Sequence, residues 1–280
     1  MKKRSLITKL ALSGVALAAT AATLATSTYA WYTTNTSVEA NKISGASADS
    51  SDASVFISAN GGTNWYQKLD GTSNGNDKIT INGSSLLPVT VDTDGNWVDQ
   101  KSASVISPSV YTFTLSFKTS KTSEPVKLGI HSISVENTSG AKQAENILTG
   151  EEYKVDILNS LAFKMESGTE TDLTKTAYSL TPGNGCIGGT VDSTATGIQG
   201  QNAHEYVNAV VAGSVSNTVT KVTNIFADKV VIATLPADGS QIDVKFTIFL
   251  DGADVDCYDA CKGQTFTVNF NFAVITDSKE

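Results

Sequence analysis

The side chains with the most chemistry to offer are three cysteines, two histidines and two short runs of acids. Cys257 and Cys261 are four residues apart in Asp-Cys-Tyr-Asp-Ala-Cys, whereas Cys186 stands by itself in Gly-Asn-Gly-Cys-Ile-Gly-Gly. In an exported chain an odd count predicts one disulfide and one spare thiol. Cys257 and Cys261 could close a small loop, and Cys186 could pair with either instead. Zinc would need a fourth ligand group, and His131 and His204 are far apart, so a metal role for the cysteines is disfavoured.

Asp251, Asp254, Asp256 and Asp259 put four acids into nine residues. Carboxylates are the ligands calcium prefers, so the run is a candidate calcium loop outside a cell. Acidic clusters are more often solvent-facing, and a solvated loop with no cofactor is the expectation. Asp92-x-Asp94-x-Asn96 also opens like a calcium loop. It lacks the glycine at the sixth position and the glutamate at the twelfth, and Asp94-Gly95 between apolar stretches predicts a hairpin turn.

No Gly-x-Ser-x-Gly, His-Glu-x-x-His or phosphate-cradling glycine loop occurs, and neither histidine has a partner of the right kind nearby in sequence. The chain is therefore expected to be structural or binding rather than enzymatic, with no catalytic residues. Trp65, Tyr66 and Trp97 flank turns, where rings could stack on sugars. That leaves a glycan- or protein-binding adhesin as the alternative, although core packing is the commoner use of such rings.

Residues 1 to 30 carry the parts of a secretory signal. Lys2, Lys3, Arg4 and Lys9 begin it, an alanine-rich apolar run follows from Leu6 to Ala25, and Thr28 and Ala30 supply small residues at the scissile position. An uncleaved anchor is the rival, but alanine, threonine and serine are weakly apolar for a permanent span. Cleavage would make Trp31 the mature N-terminus. Removing four basic residues from the total of 20 leaves 16 lysines against 28 acids, a formal charge of −12. Such a chain is a poor partner for nucleic acid or an anionic membrane, and suits a soluble extracellular protein.

Behind the signal, residues 31 to 48 are polar and small apart from Trp31, Tyr32, Val38 and Ile43, and predict either an extended arm or a first strand. Residues 49 to 280 predict β-structure. Alternation marks strands at Val110–Lys118, Ile242–Leu250 and Thr265–Val274, the last with Phe266, Val268, Phe270 and Phe272 on one face. Val126–Val135 alternates with a one-residue shift beside Gly129, which predicts a bulge at His131. Further strands are expected at 52–59, 65–69, 78–82, 86–91, 161–166 and 230–235. Thr149 followed by Glu151 and Glu152 predicts a helix over 149–161, and the glycine- and serine-rich stretch 181–203 predicts a long loop.

The ends of the chain resemble a known family. Thr-Tyr-Ala-Trp-Tyr-Thr-Thr-Asn at the end of the signal, then Ala-Asn-Lys-Ile-Ser-Gly-Ala, is similar to the TasA/camelysin group of secreted bacterial proteins. So are Phe246-Thr-Ile-Phe-Leu-Asp-Gly and the strand holding Phe266 to Phe272. The resemblance implies a mainly β, jelly-roll-like antiparallel β-sandwich with inserted loops and one or two short helices. It also implies a homopolymeric biofilm-matrix fibre, in which the mature N-terminal segment adds as a strand to the next subunit. Trp31, Tyr32, Val38 and Ile43 would then anchor that arm to an open sheet edge.

Overall fold

A computed structural model describes residues 38–46, 55–69, 79–98 except 84 and 93, 105–145 except 121 and 122, and 152–180. It also describes 190–192, 205–207, 222, 223, 225, and 230–275 except 253, 255, 256 and 258. The strands in chain order begin with β1 (Val38–Ala46), β2 (Val55–Ser58), β3 (Lys68–Leu69), β4 (Pro88–Val91), β5 (Trp97–Val98) and β6 (Tyr111–Thr119). There follow β7 (Val126–Asn137), β8 (Lys142–Glu145), β9 (Glu152–Val155), β10 (Leu161–Ser167), β11 (Ala177–Ser179) and β12 (Thr190–Asp192). The remainder are β13 (Glu205–Val207), β14 (Val222–Thr223), β15 (Val231–Leu235), β16 (Ile242–Asp251) and β17 (Phe266–Val274). The fold is mainly β, with most strand pairs antiparallel.

One sheet has the order β15-β7-β17-β1-β3. The second, larger sheet is eight-stranded and centred on β16, which pairs antiparallel with β10 on one side and with β6 on the other. Strands β8–β9 and β12–β13 are separate two-stranded sheets. Between the first and second sheets lies an aromatic core set by the alternation of three strands. Phe113 of β6 stacks on Phe246 of β16 at 5.0 Å, and Phe270 of β17 meets both from the opposite sheet at 6.1 and 5.3 Å. Phe117 of β6 meets Phe272 of β17 edge-on at 4.9 Å. In β17 the residues between these phenylalanines are half-buried, so the strand presents one face to the core.

Strands β10 and β16 are buried on both faces over much of their length. The outer face is covered by a second, smaller cluster of Val89, Val91, Ala162, Ala177 and Phe249, with Trp97, Ile106 and Val110 packed against it. This explains why alternation fades after Lys245 in β16: a central strand covered on both sides reads as a continuous apolar run. The β4–β5 hairpin that carries part of this cluster turns at Asp92–Asn96. The Asp92 carboxylate accepts from the backbone N–H groups of Asp94 and Asn96 at 2.9 and 2.8 Å and from the Asn96 side-chain amide at 3.0 Å. Gly95 has a φ of 88°, and a Cβ there would come within 2.7 Å of the Thr174 carbonyl oxygen. The expected turn is present, and Asp92 uses its oxygens to close it.

Several expectations need correction. The helix expected over 149–161 is absent from its described part: Glu152–Val155 is β9, paired antiparallel with β8, and only Ile157–Ser160 is helical, as a 3-10 turn. Its cap is Asp156, whose side chain accepts from the Leu158 N–H at 3.0 Å. Glu-Tyr-Lys-Val alternates toward a buried Val155, and that pattern overrides the cap-like Thr149 and its following acids. The strand expected at 65–69 is reduced to Lys68–Leu69. Tyr66 alone bridges Ile57, and Lys68–Leu69 turns to β1 instead. Of the stretch 78–82, among the described residues 79–82 only Asn82 pairs, in a bridge to Thr112. The bulge is where the alternation predicts it: the β7–β17 register steps from Ser132 to Ile130 past an exposed His131. The pairings β1–β17, β4–β16, β11–β14 and β12–β13 are parallel, so the sheets are mixed.

Candidate functional site

The element placed where the sequence leaves two alternatives is β1. It lies in the first sheet, parallel to β17, with Val38 opposite Phe266, Ile43 opposite Phe270 and Gly45 opposite Phe272. A register irregularity between Glu39 and Lys42 brings its two apolar points opposite residues of β17 that face the core. Without that step the strict period of two would place them on opposite faces, since Val38 and Ile43 are an odd number of residues apart. On its outer side β1 meets β3 through two pairs, Ile43 with Leu69 and Ser44 with Lys68. Trp31 and Tyr32, the other expected anchors, lie outside the described residues, as does the signal segment.

A strand is expected at 65–69, but its place beside β1 was not foreseen. Leu69 is 1 % exposed, and three residues before it Tyr66 exchanges backbone hydrogen bonds with Ile57 of β2 at 2.7 and 2.9 Å. The segment Tyr66–Leu69 thus touches β2 of the second sheet and β1 of the first. Its sequence signal is faint, because a two-residue strand has no periodicity to read.

The acidic run is not a solvated loop at the residues described. Asp251 and Asp254 are 1 % and 3 % exposed, at the end of β16 and in the turns that follow. Gly252 donates its N–H to the Val89 carbonyl at 2.9 Å, and the Asp254 and Cys257 N–H groups donate back to the carbonyls of Asp251 and Asp254. Tying the run to β4 in this way buries it, which overrides the general exposure of acidic clusters. Asp256 lies outside the described residues, and Asp259 begins a 3-10 turn ending at Cys261. Among the described residues no group of three or more His, Cys, Asp or Glu side chains is placed to hold a metal ion. Cys257 and Cys261 are both buried, and no disulfide joins them in the structure; Cys186 lies outside the described residues.

The aromatic residues considered for sugar stacking are half-buried and engaged. The Lys118 ammonium lies 4.2 Å from the Trp65 ring centroid, and Lys164 lies 4.8 Å from that of Trp97. Trp97 also meets Phe249 edge-on at 5.1 Å. Both tryptophan rings therefore already have a cation over them, and Trp97 belongs to the outer cluster. His131 is exposed on its bulge.

Two buried polar positions escaped the sequence reading. Lys164 is 6 % exposed in the middle of β10, and its ammonium donates to the Gly95 carbonyl at 2.6 Å. Burial holds its pKa below the ordinary lysine value; Glu166 and Asp92 oppose that shift, and Lys245 adds to it. A lysine inside Leu-Ala-Phe-Lys-Met is the signal that could have found it. Gln264 is fully buried before β17. Its amide donates to the carbonyls of Val155 and Ala260 at 3.0 and 2.8 Å and accepts from the Asn137 side chain and the Ile157 N–H at 2.7 and 3.1 Å. These contacts join β9, the 3-10 turns and the end of β7 around one side chain.

Comparison with protein-family models, with curated proteins and with solved structures gives no match.

Proposed function

We propose that this chain is a secreted structural subunit of an extracellular or cell-surface fibre, a jelly-roll-type sandwich that polymerises with copies of itself by exchanging its N-terminal strand. The observation that carries the reading is the seat of β1. Among the described residues it is the first strand, it lies parallel to β17, and Lys68 and Leu69 pair along its outer edge. No hairpin turn links β1 to β17, so the same pairing can form with β1 supplied by a neighbour. The resemblance of the two chain ends to the TasA/camelysin group supports the same reading. So does the formal charge of −12 after signal removal, which keeps free subunits apart in solution. The role is not enzymatic, and it calls for no cofactor and no nucleic acid.

The test compares the chain from Trp31 with a twin from which residues 31–46 are deleted, by negative-stain electron microscopy. Fibres are expected from the first and not from the second. A labelled peptide of residues 31–48 should bind the shortened twin, whose β17 edge is open. Fibres of equal yield from both chains, or monodisperse particles from both, would refute strand exchange.

A further inference from the structure

A strand that is to be exchanged must first be released. We infer that the segment Tyr66–Leu69 is a clasp that retains β1 in its own subunit, and that opening it is the gating step of assembly. This rests on the strand-exchange reading and adds the device that regulates it.

The geometry argues for a clasp rather than an ordinary edge strand. β1 runs for nine residues, and among the described residues its outer neighbour pairs at Ile43 and Ser44, near the C-terminal end. Residues Val38 to Lys42 are held along the β17 side, with a register irregularity in the middle. Among the described residues, fraying from the N-terminal end therefore meets the β17 ladder first. Complete departure also requires breaking the Ile43–Leu69 and Ser44–Lys68 pairs. The clasp is anchored independently of β1. Tyr66 is bonded to Ile57 through both backbone groups, the Trp65 ring before it lies under Lys118 of β6, and Leu69 is buried. An edge strand held only by β1 would leave with it. This one is fixed to the second sheet, so it stays behind, and a replacement strand meets the same pair of residues. The clasp thus slows exit and re-forms on whichever β1 occupies the seat.

Two variants of the full chain from Trp31 test this. The first pins the clasp: Ser44→Cys with Lys68→Cys. Directly opposed residues of an antiparallel pair have Cα atoms about 4.5–5.5 Å apart, within disulfide range. With the disulfide confirmed by peptide mass mapping, fibre growth should fall at least about tenfold when oxidised and return on reduction, as expected for an exchange that must break the clasp pairs. The second loosens it: Leu69→Ala should speed fibre growth by about tenfold, since truncating a buried leucine weakens its seat strongly. The same substitution should accelerate hydrogen exchange of β1 amides relative to those of β7, a readout independent of polymer and of global unfolding.

Equal growth of the oxidised and reduced pinned chains, while the unmodified chain forms fibres and the arm-deleted twin does not, overturns the clasp and leaves strand exchange standing. Unchanged β1 exchange rates and unchanged growth in Leu69→Ala also overturn it. Absence of fibres from the unmodified chain overturns both inferences.

Discussion

Phe270 is the residue on which the two sheets most depend. It sits on β17 with no measurable exposure and meets Phe113, Phe246, Phe163 and Phe272, with ring centroids 6.1, 5.3, 5.6 and 6.2 Å away. Three of those rings belong to the opposite sheet, so no small backbone shift can close the space that truncation leaves. Phe270→Ala should therefore cost about 3–5 kcal/mol, the range for a buried phenylalanine. At about 2–4 °C per kcal/mol for a domain of this size, the melting temperature should fall by about 6–20 °C. Phe270→Leu keeps most of the volume and loses the edge and stacking geometry, for a cost of about 1–2 kcal/mol. The assay is urea denaturation followed by tryptophan fluorescence, with Val105→Ala, at a residue 70 % exposed, as the surface control. A Phe270→Ala chain no less stable than that control would refute the packing argument. It would mean that the sheets are not held together through this ring.

Two further outcomes follow from buried polar groups. Because the folded pKa of Lys164 lies below its ordinary 10.5, the unfolded chain binds more protons between those two values, and stability from this group rises with pH through that window. Lys164→Met should be at least as stable at neutral pH and lose its advantage as the wild type is titrated toward 10.5, measured by urea midpoints at several pH values; a pH-independent difference would sink the idea. Gln264→Ala should cost about 3–5 kcal/mol, since it removes a buried amide that satisfies four partners and strands several of them. Midpoints within 1 kcal/mol of wild type, a threshold set at about the worth of one ordinary hydrogen bond, would show that water replaces the amide.

The strands most legible in the sequence are those with one face largely in the core. β6 and β17 alternate and form where the alternation places them, whereas β16 alternates only as far as Lys245. The bulge at His131 was legible for the same reason, because a one-residue slip in a period of two reverses every side chain after it. The errors come from features with no local period. Glu151 and Glu152 behind Thr149 look like a helix start, yet Glu152–Val155 is a strand because β8 supplies its partner. Asp251 and Asp254 look like solvated acids, yet a ladder to β4 that no spacing could announce carries them inward. The seat of β1 is the extreme case. Val38 and Phe266 are in register from opposite ends of the chain, and nothing near either residue specifies the other.

That separation also bears on how the proposed exchange would propagate. Eight residues, 47–54, join β1 to β2, and a fully extended chain of that length spans at most about 26–29 Å. A domain of about 250 residues has a radius of gyration near 18 Å, so the strand reaches an adjacent subunit but not one beyond it. Because β1 seats parallel to β17, each donated strand enters its acceptor with one polarity, fixed by the acceptor's own last strand. Two subunits that trade strands reciprocally close a dimer and leave no seat for a third. A subunit that donates forward and receives from behind keeps one open seat at one end and one free strand at the other. Fibre growth thus requires that the forward donor arrive before the reciprocal one. A clasp that holds each unused β1 at home biases the outcome in that direction, because a subunit then releases its strand only when an acceptor competes for it.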